Sequence, residues 1–230
     1  MNRVAGLVSL AIVMLLVAAP GCKKRPRTHG VPARLGLTGG TLLFEEDFEK
    51  GLSAWTTTSK NWRIDGGRLY TGDKPNENLG LWLNAVALPP NVRIEFEATS
   101  VKGNNPQFEG DVKVEFGGKD QAHASGYVII FGGWKNTVNT IAKGDEHGDG
   151  RLAIDSTRKV KEGVTYRFTI VRMDGEVRWY LAEAAADGKQ PATPDLLLQV
   201  RDGEPAAGGD FGFNNWNSRV YFDKLRLFAL

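Results

Sequence analysis

The 230-residue chain holds one cysteine and three histidines, has no acidic residue before position 35, and shows helical spacing of apolar residues nowhere beyond its first twenty positions. Each scarcity excludes something. Without helical periodicity the chain is not a helical bundle. It also lacks a Gly-x-Ser-x-Gly elbow, a His-Glu-x-x-His pair and a phosphate-cradling glycine loop, which removes the hydrolase, zinc-protease and nucleotide-binding chemistries those motifs carry. What the chain has instead is 28 Gly, six Trp, five Tyr and eleven Phe, a composition of strands and turns.

The charge is divided along the chain. Six of the 29 Lys and Arg precede residue 35, leaving 23 basic against 27 acidic residues, a net of −4, in the remainder. Arg3 and the sixteen apolar residues Val4 to Ala19 form a signal-peptide pattern, shorter than the roughly 20 residues that span a bilayer. The run ends at Pro20-Gly21-Cys22, which resembles the lipobox of bacterial lipoproteins, where the cysteine becomes the lipidated first residue; Ala19 and Pro20 depart from its usual residues. Lipidation of Cys22 accounts for a lone cysteine without a stray thiol or an intermolecular disulfide. The expected organisation is a signal peptide at 1–21, a flexible basic tether at 22–40 and a β-sandwich domain at 41–230. The basic cluster fits anionic lipid head groups beside a membrane anchor, not nucleic acid, for which the domain has no basic face. Lys23 after the lipidated cysteine points to the outer membrane of a cell envelope, by a rule learned in other bacteria.

From residue 41 the apolar residues alternate. VRIEFEA (92–98) sets Val92, Ile94, Phe96 and Ala98 against Arg93, Glu95 and Glu97, and DVKVEF (111–116) repeats the pattern. YRFTIVRMDGEVRWYLAE (166–183) predicts a hairpin about Asp174-Gly175, and WRIDGGRLY (62–70) another about Gly66-Gly67. YVIIF (127–131) is apolar at consecutive positions, as in a strand covered on both faces. A dozen such segments predict an all-β, two-sheet antiparallel sandwich whose last strand pairs beside its first.

The stretches LLFEEDFEKGLSAW, WRIDGGRLYTG, GYVIIFGGW, RMDGEVRWYL and GGDFGFNNWNSRVYFDKLRLF resemble the concanavalin A-like lectin/glucanase superfamily, and within it domains related to the 3-keto-disaccharide hydrolases. The resemblance implies a concanavalin A-like jelly roll. It implies no one activity, because lectins, binding modules and glycosidases share that scaffold.

Laminarinase-type members carry Glu-x-Asp-x-Glu on one strand. The nearest string here is Asp111-Val-Lys113-Val-Glu115, in which Lys113 replaces the middle acid; an ammonium between two carboxylates holds both ionised and leaves no acid for the leaving group. This string and Glu95-Phe-Glu97 read as solvent-facing sides of amphipathic strands. His29 lies in the tether, so His123 and His147 are the imidazoles left for acid–base work.

The segment GGWKNTVNTIAKGDEHGDGR (132–151) carries several readings. Asp145, His147 and Asp149 imitate the start of a calcium loop, but Ser156 stands where a bidentate Glu is expected, and the vicinity has too few His and Cys for zinc. Glu146 and His147 could form an acid–base pair with Lys135 as electrophile. Trp134, Lys135, Asn136 and Asn139 are what sugar recognition uses, an indole platform and amides that donate and accept. Asn214, Asn215, Trp216, Asn217 and Arg219 form a second such cluster, and Trp82 with Asn84 a third. Against these stands a plain turn with buried Trp and turn-forming Asn. A structural calcium between first and last strands would draw on Glu45, Asp47 and Asp223; otherwise no cofactor is expected.

The expectation is a lipid-anchored envelope protein whose sandwich binds a carbohydrate without chemistry through Trp134, Lys135, Asn136, Asn139, Asn214, Trp216 and Arg219. The alternatives are a sugar hydrolase acting through Glu146, His147 or Asp111, and a structural or protein-interaction module.

Overall fold

The computed structural model describes residues 36–102, 110–184 and 193–230. The signal peptide, Cys22 and nearly all of the tether lie outside the described residues. In chain order the strands are β1 (Thr41–Glu46), β2 (Trp55–Thr56), β3 (Arg63–Asp65), β4 (Arg68–Tyr70), β5 (Leu81–Leu83), β6 (Val92–Val101), β7 (Val112–Gly118), β8 (Tyr127–Gly132), β9 (Val138–Lys143), β10 (Arg151–Asp155), β11 (Thr165–Met173), β12 (Glu176–Glu183), β13 (Asp195–Arg201), β14 (Asp210–Asn214) and β15 (Arg219–Ala229). They form two antiparallel sheets. The first runs β13-β12-β11-β6-β15-β4-β3 with β1 also on β15, and the second runs β10-β9-β8-β7-β14-β5-β2.

Strand β15 ties the chain ends together. Its first half pairs with β4 and its second half with β1, while its other edge pairs with β6 along most of its length. The register with β6 shifts between Asp223 and Arg226, and Lys224 there has φ +51°. Such a bulge bends the strand and increases its twist.

Alternation fixes which side chains fill the space between the sheets. Phe96, Phe168, Trp179 and Phe222 from the first sheet meet Phe131, Phe211 and Phe213 from the second, all 0–1% exposed. Phe213 lies 5.4 Å from Phe96 and 4.3 Å from Phe222, and Phe131 lies 5.9 Å from Trp179 in an edge-to-face pair. Aromatic pairs of this kind add about 0.5–1.5 kcal/mol each beyond burial. Both predicted hairpins form, with φ +50° and +76° at Asp174 and Gly175 and +57° and +74° at Gly66 and Gly67. Positive φ at both central positions matches the twist of the flanking strands.

Two edge strands escaped the sequence reading: β2 is two residues long, and β10 follows the polar loop at 144–150 without a turn signal of its own. A larger correction concerns β7. Lys113 and Glu115, expected to face solvent, are 1% and 2% exposed.

Candidate functional site

Lys113 and Glu115 are buried because the outer face of the second sheet is itself covered. Inter-strand pairing sets Asn214, Lys113, Ile130 and Thr140 side by side in one row, and Gly212, Glu115, Val128 and Ala142 in the next. Val128, Ile130 and Ala142 form a small apolar cluster with Ala124, against which Trp134 packs. Strand β8 is therefore enclosed on both faces, as its unbroken apolar run predicts.

The polar half of these rows is a charge network. Glu115 accepts hydrogen bonds from the Ala124 backbone N–H at 2.6 Å and from the Asn214 amide, and its Oε1 lies 2.6 Å from His123 Nδ1. Lys113 Nζ lies 2.7 Å from Glu146 Oε2 and donates to Asn78 Oδ1 at 2.9 Å. His123 Nε2 lies 3.7 Å from the same Glu146 oxygen. Glu146 thus clips the loop between β9 and β10 onto the middle of the sheet. Burial works to lower the Lys113 pKa, but the carboxyls of Asp111, Glu146 and Glu115 outweigh it and hold the ammonium above its ordinary range.

Asp111 stands just before β7 with φ +25°, a strained value for a residue with a side chain. Its carboxyl has no hydrogen bond or salt bridge among the described residues. Burial pushes its pKa up, against the opposing pull of Lys113. Asn78, Asp111, Lys113, Trp134, Glu146 and Trp216 stand in the wall of one cavity of about 470 Å³.

The rim at Trp134 is a left-handed turn. Trp134, Lys135 and Asn136 have φ of +50°, +63° and +57° in succession. Left-handed backbone costs non-glycine residues roughly 1–2 kcal/mol each, and side-chain bonds hold it here. The Asn136 carboxamide accepts from Val160 N at 3.0 Å and donates to Val160 O at 2.8 Å, and Thr137 Oγ1 donates to Trp134 O at 2.6 Å. The Trp134 indole is already engaged: the Arg151 guanidinium lies 3.7 Å over the ring and the His147 ring meets it edge-on at 5.4 Å. Trp216 is free, with 52% of its surface exposed.

The structure brings Trp134, Lys135 and Trp216 to one cavity and separates the other sequence-derived candidates from it. Asn214 is buried and bonded to Glu115 beside that cavity. Asn136 is spent on Val160, and Asn139 is buried, bonded to Gly132 N, Asp155 and Arg158 O. Arg219 lies on the first sheet, 3.7 Å from Asp73. Trp82 is buried beside Gly212, and Asn84 bonds to Thr56 and Gln121. Glu95 is ion-paired to Arg93 and Arg226, both at 2.8 Å. Glu146 and His147 do not pair with each other; His147 lies 3.3 Å from Asp145.

Among the described residues no three His, Cys, Asp or Glu side chains gather as metal ligands. Asn78 has no signal in the sequence, His123 stands out there only as an available imidazole, and Lys113 and Glu115 read as solvent-facing. A signal for the latter pair was present: charged residues facing outward on a strand next to YVIIF, whose own outward side is apolar, must share its cover.

Solved structures decide the architecture. The exoplasmic/lumenal domain of VIP36 in its Ca2+/Man2-bound form superposes with a TM-score of 0.60 at 9% identity, over 82% of this chain and 89% of that one. The fold is a concanavalin A-like jelly roll. A galectin-like protein from Bacillus subtilis, described as of unknown function, gives 0.60 at 11% identity over 84% and 97%. A β-1,3-1,4-glucanase (lichenase) from a mouse hindgut metagenome gives 0.55 at 14% identity over 83% and 100%. At these identities the likeness is one of fold. No protein-family model matches the sequence, and no curated protein does.

Proposed function

We propose that the cavity beneath Trp216 binds a carbohydrate and that the domain does no chemistry on it. The observation that carries this reading is the exposed Trp216 indole beside a polar wall of buried Lys113 and Glu146 and half-buried Asn78. An indole offers a face to sugar C–H groups, and amide, carboxyl and ammonium groups meet the hydroxyls. A volume of about 470 Å³ is in the range of small-ligand sites. The fold agrees, since its neighbours include a domain described as mannose-bound and a glucanase.

Binding is favoured over hydrolysis by how the carboxyls are spent. Glycoside hydrolysis uses one carboxyl as acid and a second as nucleophile or base. Glu115 is saturated by the Ala124 amide, His123 and Asn214, and Glu146 is ion-paired to Lys113. Asp111 is left without a second carboxyl to work with. The test is a glycan array with Trp216→Ala: retention is lost while the thermal midpoint stays within a degree or two, and no reducing sugar is released by the wild type. Turnover of any bound glycan overturns the non-catalytic reading.

We further propose that the domain is held at the cell envelope by lipid on Cys22, with the basic segment after it against anionic head groups. Metabolic labelling with a palmitate analogue should mark the wild-type chain and not Cys22→Ala; equal labelling overturns it.

A further inference from the structure

We infer that the saccharide this cavity selects carries a positive charge, a free amino sugar whose ammonium is received by Asp111. This rests on the carbohydrate reading above and adds the ligand's charge to it.

Charged groups from several elements surround Asp111. Lys113 and Glu115 come from β7, His123 from the loop after it, Lys135 from the left-handed turn, and Glu146 and His147 from the loop between β9 and β10. The Lys113 ammonium is committed to Glu146 and Asn78, and Glu115 is committed to His123, Ala124 and Asn214. Lys135 is exposed at the rim and solvated, and His147 turns to Asp145 and Trp134. Among the described residues, the side chains of two cations, Lys113 and, when protonated, His123, approach the three carboxyls Asp111, Glu115 and Glu146. The unmatched carboxyl is Asp111, which lines the cavity with no hydrogen-bond or ion-pair partner among the described residues.

Asp111 is half-buried, and a carboxylate drawn partly out of water without a partner is resolved either by a proton or by a counter-ion. In the free domain burial pushes the Asp111 carboxyl towards the protonated form. An ammonium from the ligand resolves the same imbalance by a charge-assisted hydrogen bond, stronger than one from a neutral hydroxyl. The strained backbone at Asp111 is consistent with a side chain held for a ligand and not for the fold.

The experiment is calorimetric titration of the domain with three probes of equal ring number: a β-1,4-linked glucosamine trimer, its N-acetylated form, and cellotriose. At pH 7 the glucosamine trimer is expected to bind about tenfold more tightly than the other two, the change a hydrogen bond to a charged group supplies. Asp111→Asn should erase that preference, so that the glucosamine trimer binds this variant no more tightly than cellotriose does. The wild type provides a second readout that needs no variant. Asp111 has a raised pKa, so its carboxylate is present above that pKa, and the preference should shrink as pH falls through it. Equal binding of all three probes, or a preference that survives Asp111→Asn and is flat with pH, overturns the charge inference while the carbohydrate reading stands. If no probe binds but hexylamine does, the carbohydrate reading fails and the anionic site remains.

Discussion

Lys113 Nζ lies 2.7 Å from Glu146 Oε2, and this ion pair joins a strand in the interior of the second sheet to the tip of a loop. The Lys113 side chain is 1% exposed and that of Glu146 11%. Removing one partner leaves the other charge enclosed, which typically costs about 3–5 kcal/mol. Glu146→Leu should therefore lower stability by about 3 kcal/mol, and Lys113→Met by a similar amount. The double variant should cost clearly less than the sum, because neither charge is then stranded. Urea unfolding midpoints for the three variants check this; strict additivity means the pair is not coupled.

The indoles at 134 and 216 should separate in stability assays. Trp134 is covered by Arg151 on one face and packs on the Ile130 and Ala142 cluster, so Trp134→Ala should cost about 2–3 kcal/mol. Trp216→Ala, at an exposed site, should cost within about 0.5 kcal/mol. Thermal scans of the two variants test the difference, and equal losses would mean that Trp216 also holds the loops together.

Lys135 stands in the middle of the left-handed turn at φ +63°. Glycine adopts that conformation without the Cβ clash, so Lys135→Gly should raise stability by about 0.5–1 kcal/mol, after its greater unfolded-state entropy is offset. Asn136→Ala should do the reverse, because it strands Val160 N and O. Denaturant titration of both reads the signs directly.

Acid should weaken the fold partly through Asp155. Burial acts to raise its pKa, but hydrogen bonds from Thr157, Arg158 and Asn139 win and lower it to about 2. Its folded-state value is below the unfolded one, so the stability it adds is present above about pH 4 and is lost as pH falls towards 2. After solvent screening this is worth about 1 kcal/mol. Asp155→Asn should be less stable than wild type at pH 6 and close to it at pH 2, as urea midpoints will show.

The two-sheet fold was legible because a strand half-exposed to water writes its period into the sequence. Val92, Ile94, Phe96 and Ala98 could be assigned to the core by counting alone, and Asp174-Gly175 marked its hairpin through the backbone conformations it tolerates. The site was legible only as a set of residue types. Trp134 and Trp216 both line one cavity, but Asn136 and Asn139 carry the same amide as other candidates and bond to the backbone instead.

Alternation along β7 specified that Lys113 and Glu115 point away from the core, and that followed from the chain alone. Whether pointing away meant water or a second enclosed layer depended on loops at 72–80, 119–126 and 144–150 folding over that face. Those contacts join residues far apart in sequence, Asn78 to Lys113 and Lys113 to Glu146, and no local pattern encodes them. Local sterics and the hydrophobic period therefore decided the sandwich, whereas long-range closure decided which of its polar residues are buried together and left Asp111 facing a cavity without a partner among the described residues.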